Sequence, residues 1–260
     1  MGDVLGVHLL QTMDLVGSPR RSAVTRVDAG GALVALDLAA GDDEILGLVG
    51  AVDVPTLAVD APLAVPEQGG RRDAEAVLAW CDITAFPVSR RRLAQVHGGA
   101  RGIDLAPGLA APGRRLCEAL PDQVLRQIAW ERDHPPGSAP LELGDYRTRW
   151  LGVRAPAYRP KLTGRARRPG LAQAHALLAG VLDLGGWAPA PGGDDWSAIA
   201  DAARLDALCC AYAALRLARG GAMVVGVPGR GEIAVPVDAN LAHRLQATLE
   251  RMRGEGTIAI

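Results

Sequence analysis

Thr56 to Val59 is a short apolar run rich in β-branched residues, closed by Asp60 and fenced by Pro55 and Pro62. Such a run reads as a buried strand. An acid at its carboxyl end stands where open α/β sheets bind their ligands. The same residue could instead cap the turn that Ala61-Pro62 opens, a common duty of Asp before Pro. Either way, the segment calls for a sheet with a covered central strand.

The strand signals before it are of another kind. Asp3 to Leu10 alternates weakly, and Ser22 to Val27 and Ala32 to Leu38 flank Asp28-Ala29-Gly30-Gly31, a hairpin turn by composition. Helical patterns follow at Asp42 to Gly50 and Asp73 to Trp80. The stretch of about 81–113 is rich in Gly and Pro and reads as an inserted region of loops and short helices. Arg114 to Glu118 is the next strand, and Asp122 to Glu131 a helix. The segment 134–169 reads as irregular and basic. Leu171 to Leu184 and Ser197 to Ala218 are helices with apolar residues at helical spacing. Ala222 to Val227 and Glu232 to Val237 form a hairpin, and Ala239 to Met252 a last amphipathic helix.

This order implies one α/β domain over 1–260 with a mixed sheet and helices on both faces. It is the order of the ribonuclease H-like fold, whose sheet runs 3-2-1-4-5. His8, Asp60 and Glu118 then fall at the ends of three adjacent strands, about 4.8 Å apart. Their side chains could converge on a cation or a phosphate.

Composition narrows the classes of function. With 49% hydrophobic and 22% charged residues the chain is that of a globular protein. A net charge of -1 argues against indiscriminate coating of nucleic acid but leaves room for a local basic groove. The cations are almost all Arg, with Lys161 the only lysine, as a GC-rich bacterial genome would give. Cys81, Cys117, Cys209 and Cys210 lack zinc-site spacing and read as reduced core thiols. No signal segment or membrane span is expected, so the expected setting is the cytoplasm. The oligomeric state is left open, a homodimer included.

Four segments then resemble a known family. VDAPLAVPEQGGRRD (59–73), CEALP (117–121), RLDALCCAYAA (204–214) and GRGEIAVP (229–236) are similar, in this order, to segments of the predicted ribonuclease H-like nucleases of domain-of-unknown-function family 429. The basic stretch YRPKLTGRARRPGL (158–171) resembles that family as well. The resemblance implies an acidic site for Mg²⁺ or Mn²⁺, with Asp60, Glu118 and Asp206 as catalytic ligands. Hydrolysis of a phosphodiester in nucleic acid uses such ions to activate water and neutralise the leaving oxygen. For Asp206 the plain alternative is a solvent-facing acid, or one paired with Arg204.

Family members usually carry Gly-Ile-Asp-Leu-Ala on the first strand, where this chain has Gly6-Val7-His8-Leu9-Leu10. Imidazole suits Mn²⁺, Zn²⁺ or Fe²⁺ and is a poor ligand for Mg²⁺. His8 is thus a ligand with altered metal preference, a relic in a site that only binds, or a neutral histidine packed in the sheet. Asp14 is a conceivable substitute.

Tyr158, Arg159, Lys161 and Arg165, with Arg154, Arg167 and Arg168, form a basic run suited to a nucleic-acid backbone, and Tyr158 could stack on a base. Its plain reading is a solvated loop. Arg71-Arg72 and Arg90-Arg91-Arg92 could widen the patch. Gly17-Ser18-Pro19 is a weak phosphate-cradling turn, on which a third reading rests: a phosphotransferase of the actin-like ATPase group. The second is a catalytically inactive ribonuclease H-like module that binds nucleic acid or protein. The five tryptophans read as core or interface residues.

Overall fold

A computed structural model describes residues 2–9, 22–67, 70–85, 88–135, 138, 141–159, 168–192, 194–227 and 231–258. In chain order the elements are β1 (Val4–His8), β2 (Ser22–Val27), β3 (Leu33–Ala39), α1 (Asp42–Gly50), β4 (Thr56–Asp60), α2 (Asp73–Trp80), α3 (Arg90–His97) and α4 (Arg101–Leu109). There follow β5 (Arg115–Ala119), α5 (Pro121–Asp133), α6 (Leu143–Gly152), α7 (Arg168–Ala179), α8 (Asp195–Ala218), β6 (Ala222–Val225), β7 (Ile233–Pro236) and α9 (Ala239–Gly254).

The strands form one mixed seven-stranded sheet, ordered β3-β2-β1-β4-β5-β7-β6. Its first five strands stand in the expected order 3-2-1-4-5. β2 runs antiparallel to both β1 and β3, whereas β1, β4, β5 and β7 are parallel neighbours. β6 returns antiparallel beside β7, the hairpin that the sequence pattern suggests. Among the described residues, no helix is long and apolar enough to cross a membrane.

Side chains alternate across a strand, and each face of the sheet buries its own core. Val4, Ala58, Cys117, Ala119 and Ala234 pack with α5, α7 and α8. Leu5, Val7, Leu57 and Val59 face the other way, with Ile45 and Val49 of α1 and Leu105 and Leu109 of α4. Further along that second face, Ile233 and Val235 pack with α2 and α9.

The long helix α8 lies across the centre of the sheet, against β1, β2 and β4. Its register on β1 is set by Gly6. A Cβ there would stand 2.1 Å from the Ala207 carbonyl oxygen and 2.2 Å from the Ala211 nitrogen. Only glycine permits that approach. Ala203, Ala207 and Ala211 continue the seam with small side chains, all buried.

One segment differs from the sequence reading. The stretch 81–113 does hold short helices, α3 and α4. Within 134–169, however, Leu143–Gly152 is a helix rather than irregular chain. Tyr146 and Trp150 anchor it against Trp130 in the core on the α2 and α9 side. Of the tryptophans, Trp130 and Trp150 are buried, whereas Trp80 and Trp196 are exposed.

Candidate metal centre

His8 and Asp60 are register partners at the carboxyl ends of β1 and β4. They share the sheet face on which α8 lies. The close approach at Gly6 lowers α8 onto this edge and brings Asp206 over His8. His8 Nδ1 is 2.9 Å from Asp60 Oδ2 and 3.5 Å from Asp206 Oδ2. One ligand atom from each of His8, Asp60 and Asp206 can be chosen so that all three lie within 4.8 Å of one another.

Asp206 is the deepest member. It accepts a hydrogen bond from the Tyr158 hydroxyl and two from Arg159, Nε to Oδ2 at 3.1 Å and Nη2 to Oδ1 at 3.2 Å. Arg159 Nη2 also reaches Asp60 Oδ2 at 3.4 Å. The sequence alternatives for Asp206 fail on this geometry: it is buried, and Arg204 pairs with Asp201 instead. Tyr158 is buried too, so it braces Asp206 and is not available to stack on a base.

Glu118 does not join the group. It pairs in register with Val59, not Asp60, so its side chain shares the face of Val59, opposite to His8 and Asp60. There its carboxylate accepts hydrogen bonds from Arg72 Nη1 at 2.6 Å, Arg72 Nη2 at 2.9 Å and the Leu63 amide at 2.9 Å. Arg72 holds Glu75 as well, through Nε at 2.8 Å. Glu118 therefore locks the loop after β4 and the start of α2, which corrects the expectation that it ligates metal beside Asp60. Gly102 serves the same loop from outside: a Cβ there would meet the Pro62 carbonyl oxygen at 2.5 Å, so α4 sits directly on it.

The charges explain how the acids tolerate one another. Burial opposes a charge on His8, yet the hydrogen bond to Asp60 and the charges of Asp206 and Asp60 outweigh it and raise its pKa. Burial pushes Asp60 up, but Arg159 and His8 together bring its carboxyl below the usual carboxylate range. Asp206 is raised, by burial and by the charge of Asp60, against the pull of Arg159, His8 and Tyr158. With His8 protonated, an imidazolium and a guanidinium face two carboxylates. The group is then neutral without any ion.

The donor set can be tested against a cation on these distances. Nitrogen and oxygen ligands about 2.1 Å from an ion stand at most about 4.2 Å apart. The trio would need a contraction of under about 1 Å, loss of the His8 proton, and withdrawal of Arg159 from both carboxylates. One imidazole with two carboxylates suits Mn²⁺, Fe²⁺ or Zn²⁺ better than Mg²⁺.

The remaining candidate residues are scattered. Arg71 is exposed at the entry to α2, and Arg154 is exposed. Arg168 donates to the Ala190 and Asp194 carbonyls. Arg90 pairs with Glu67 and Asp104. Lys161, Arg165, Arg167, Asp14 and the turn at Gly17-Ser18-Pro19 lie outside the described residues. The four cysteines are free and buried. No family model, curated protein or solved structure matches the chain.

Proposed function

We propose that this protein is a divalent-metal-dependent phosphodiesterase acting on nucleic acid, with His8, Asp60 and Asp206 as the ligands. The observation that carries the reading is one nitrogen and two carboxylate donors gathered at the carboxyl edge of the parallel strands. The four family-like segments support it, as does the strand order. Mn²⁺ fits the donors better than Mg²⁺, and when bound such an ion would activate water and neutralise the leaving oxygen. The chain's own residues prepare for this. Tyr158 holds Asp206 in place; with an ion bound, His8 would serve as a ligand in its neutral form, and Arg159, released from the carboxylates, would be a cation available to a phosphate. Four buried thiols, none in a disulfide, suit a reducing cytoplasm.

The test is cleavage of end-labelled DNA and RNA, single- and double-stranded, with Mn²⁺, with Mg²⁺ and with a chelator. Metal-dependent cleavage that Asp60→Asn abolishes is the expected result. Its absence for every substrate with both metals would overturn the reading.

One observation favours a second reading, a binding module without catalysis. His8 and Arg159 already supply the two positive charges that a divalent ion would bring. Oligonucleotide binding in chelator, with no cleavage in any metal, is the signature of that case.

A further inference from the structure

On another part of the surface, at the end of α2, a second site can be read from side chains that the metal centre does not use. Trp80 is 58% exposed. The guanidinium of Arg251, from α9, lies 4.3 Å from its ring centroid. Two residues on, Asp82 holds a left-handed backbone at φ 55, unusual for a residue with a side chain. Arginines from three helices surround it. Arg147 of α6 donates to both carboxylate oxygens, at 2.9 and 3.2 Å, and Arg244 of α9 donates to Oδ2. Arg126 of α5 donates to the Asp82 carbonyl at 2.8 Å. Arg244 also donates to the Trp80 and Cys81 carbonyls.

Asp82 is the only carboxylate paired with Arg126, Arg147, Arg244 or Arg251 among the described residues. Four guanidinium groups thus share a single ion-paired carboxylate beside an exposed indole. Arg126 and Arg244 are nearly buried and project field rather than contacts, whereas Arg147 and Arg251 are exposed. Arg154 adds its charge to the same region, since it is among the groups that depress the basicity of Arg126, after burial.

We infer that the Trp80 face, with Arg147 and Arg251, binds single-stranded nucleic acid, the indole stacking on a base and the two arginines contacting phosphates. Charge complementarity selects a polyanion. The exposed ring selects one that carries flat bases, because an acidic peptide would use the arginines and leave Trp80 idle. The chain joins this face to the metal centre: Val153 to Ala157 runs without helix or strand from the end of α6 to Tyr158 and Arg159. From Gly152, the last residue of α6, to Tyr158 is six residue steps, at most about 22 Å at 3.3–3.6 Å per residue. The inference deepens the nucleic-acid reading above and does not depend on metal chemistry.

The experiment is fluorescence anisotropy of a labelled oligothymidylate in chelator, where a failed metal site has no influence. Wild-type protein is expected to bind, with affinity falling steeply as salt rises. Trp80→Ala should weaken binding about tenfold, as removal of one stacked base does. Arg147→Ala with Arg251→Ala should reduce the salt slope by about 0.7 for each phosphate that is no longer neutralised. All three side chains are exposed, and circular dichroism checks that the variants fold. A wild type that does not bind, or variants that bind as it does, would overturn the inference. So would an equally tight, Trp80-independent interaction with polyglutamate.

Discussion

Replacing Gly6 by alanine puts a methyl carbon 2.1 Å from the Ala207 carbonyl oxygen and 2.2 Å from the Ala211 nitrogen. Both are backbone atoms of a helix, so no side chain can swing aside. Ordinary van der Waals separation needs more than 1 Å of further room, and α8 must lift from β1 to provide it. Overpacking of a tight core costs about 1–3 kcal/mol and occasionally more, and here we expect the upper end, about 3 kcal/mol. At about 2–4 °C per kcal/mol for a chain of this size, Tm should fall by about 6–12 °C. The same lift draws Asp206 away from His8, so any metal affinity should fall in parallel. Gly47→Ala in α1 is the control. Gly47 is exposed, and nothing lies within 4 Å of the added carbon. That change should therefore raise stability by about 1 kcal/mol, the ordinary helix preference for alanine. Thermal unfolding followed by circular dichroism measures both. A Gly6→Ala protein as stable as the wild type would refute the claim that this close approach sets the position of α8.

Removing Arg72 strands the buried Glu118 carboxylate, so Arg72→Ala should cost about 3–5 kcal/mol in urea unfolding. Arg72→Met with Glu118→Leu and Glu75→Gln, which removes both carboxylates that Arg72 holds, should recover most of that cost, and a triple variant as unstable as the single one would contradict the pairing. The raised pKa of His8 gives a pH dependence of definite sign. Its contribution to stability is full below the unfolded-state value and is lost as pH rises through the higher folded-state value. The stability difference between wild type and His8→Asn should therefore be full below about pH 6.5, the ordinary imidazole value, and shrink as pH rises through the window above it. A flat difference across that window would mean that His8 stays neutral.

Local pattern makes most of the sheet legible. β4 and α2 have the bounds that their proline and aspartate boundaries suggest, and β2 and β7 are readable as short runs holding β-branched residues, nearly all of them buried. Which face an acid takes is harder to read. Glu118 lies at the end of its strand, as expected, but one residue of register turns it away from Asp60, and register is set by contacts between distant strands. Its partner Arg72 lies 46 residues away and carries no local mark. α6 is hidden between proline-rich flanks, although Leu143, Tyr146 and Trp150 keep helical spacing over the segment. The seam of Gly6 with Ala203, Ala207 and Ala211 is visible as small residues, yet composition alone assigns them no role. Tyr158 and Arg159 stand out in the sequence for their ring and charge. Their work as braces of Asp206 depends on a loop path that no periodicity encodes.

The central claim is that His8, Asp60 and Asp206 form one cation site whose preference is set by the imidazole. Calorimetric titration of the wild-type protein and of His8→Asp with Mn²⁺ and Mg²⁺ tests it most directly. The account predicts one Mn²⁺ site in the wild type, abolished in Asp60→Asn, and stronger Mg²⁺ binding in His8→Asp, because an anionic oxygen replaces a neutral nitrogen. A folded wild type that takes up no Mn²⁺ at millimolar concentration, with Mg²⁺ affinity unchanged in His8→Asp, would contradict it. The trio would then be a self-neutralised ion cluster that joins α8 to the sheet.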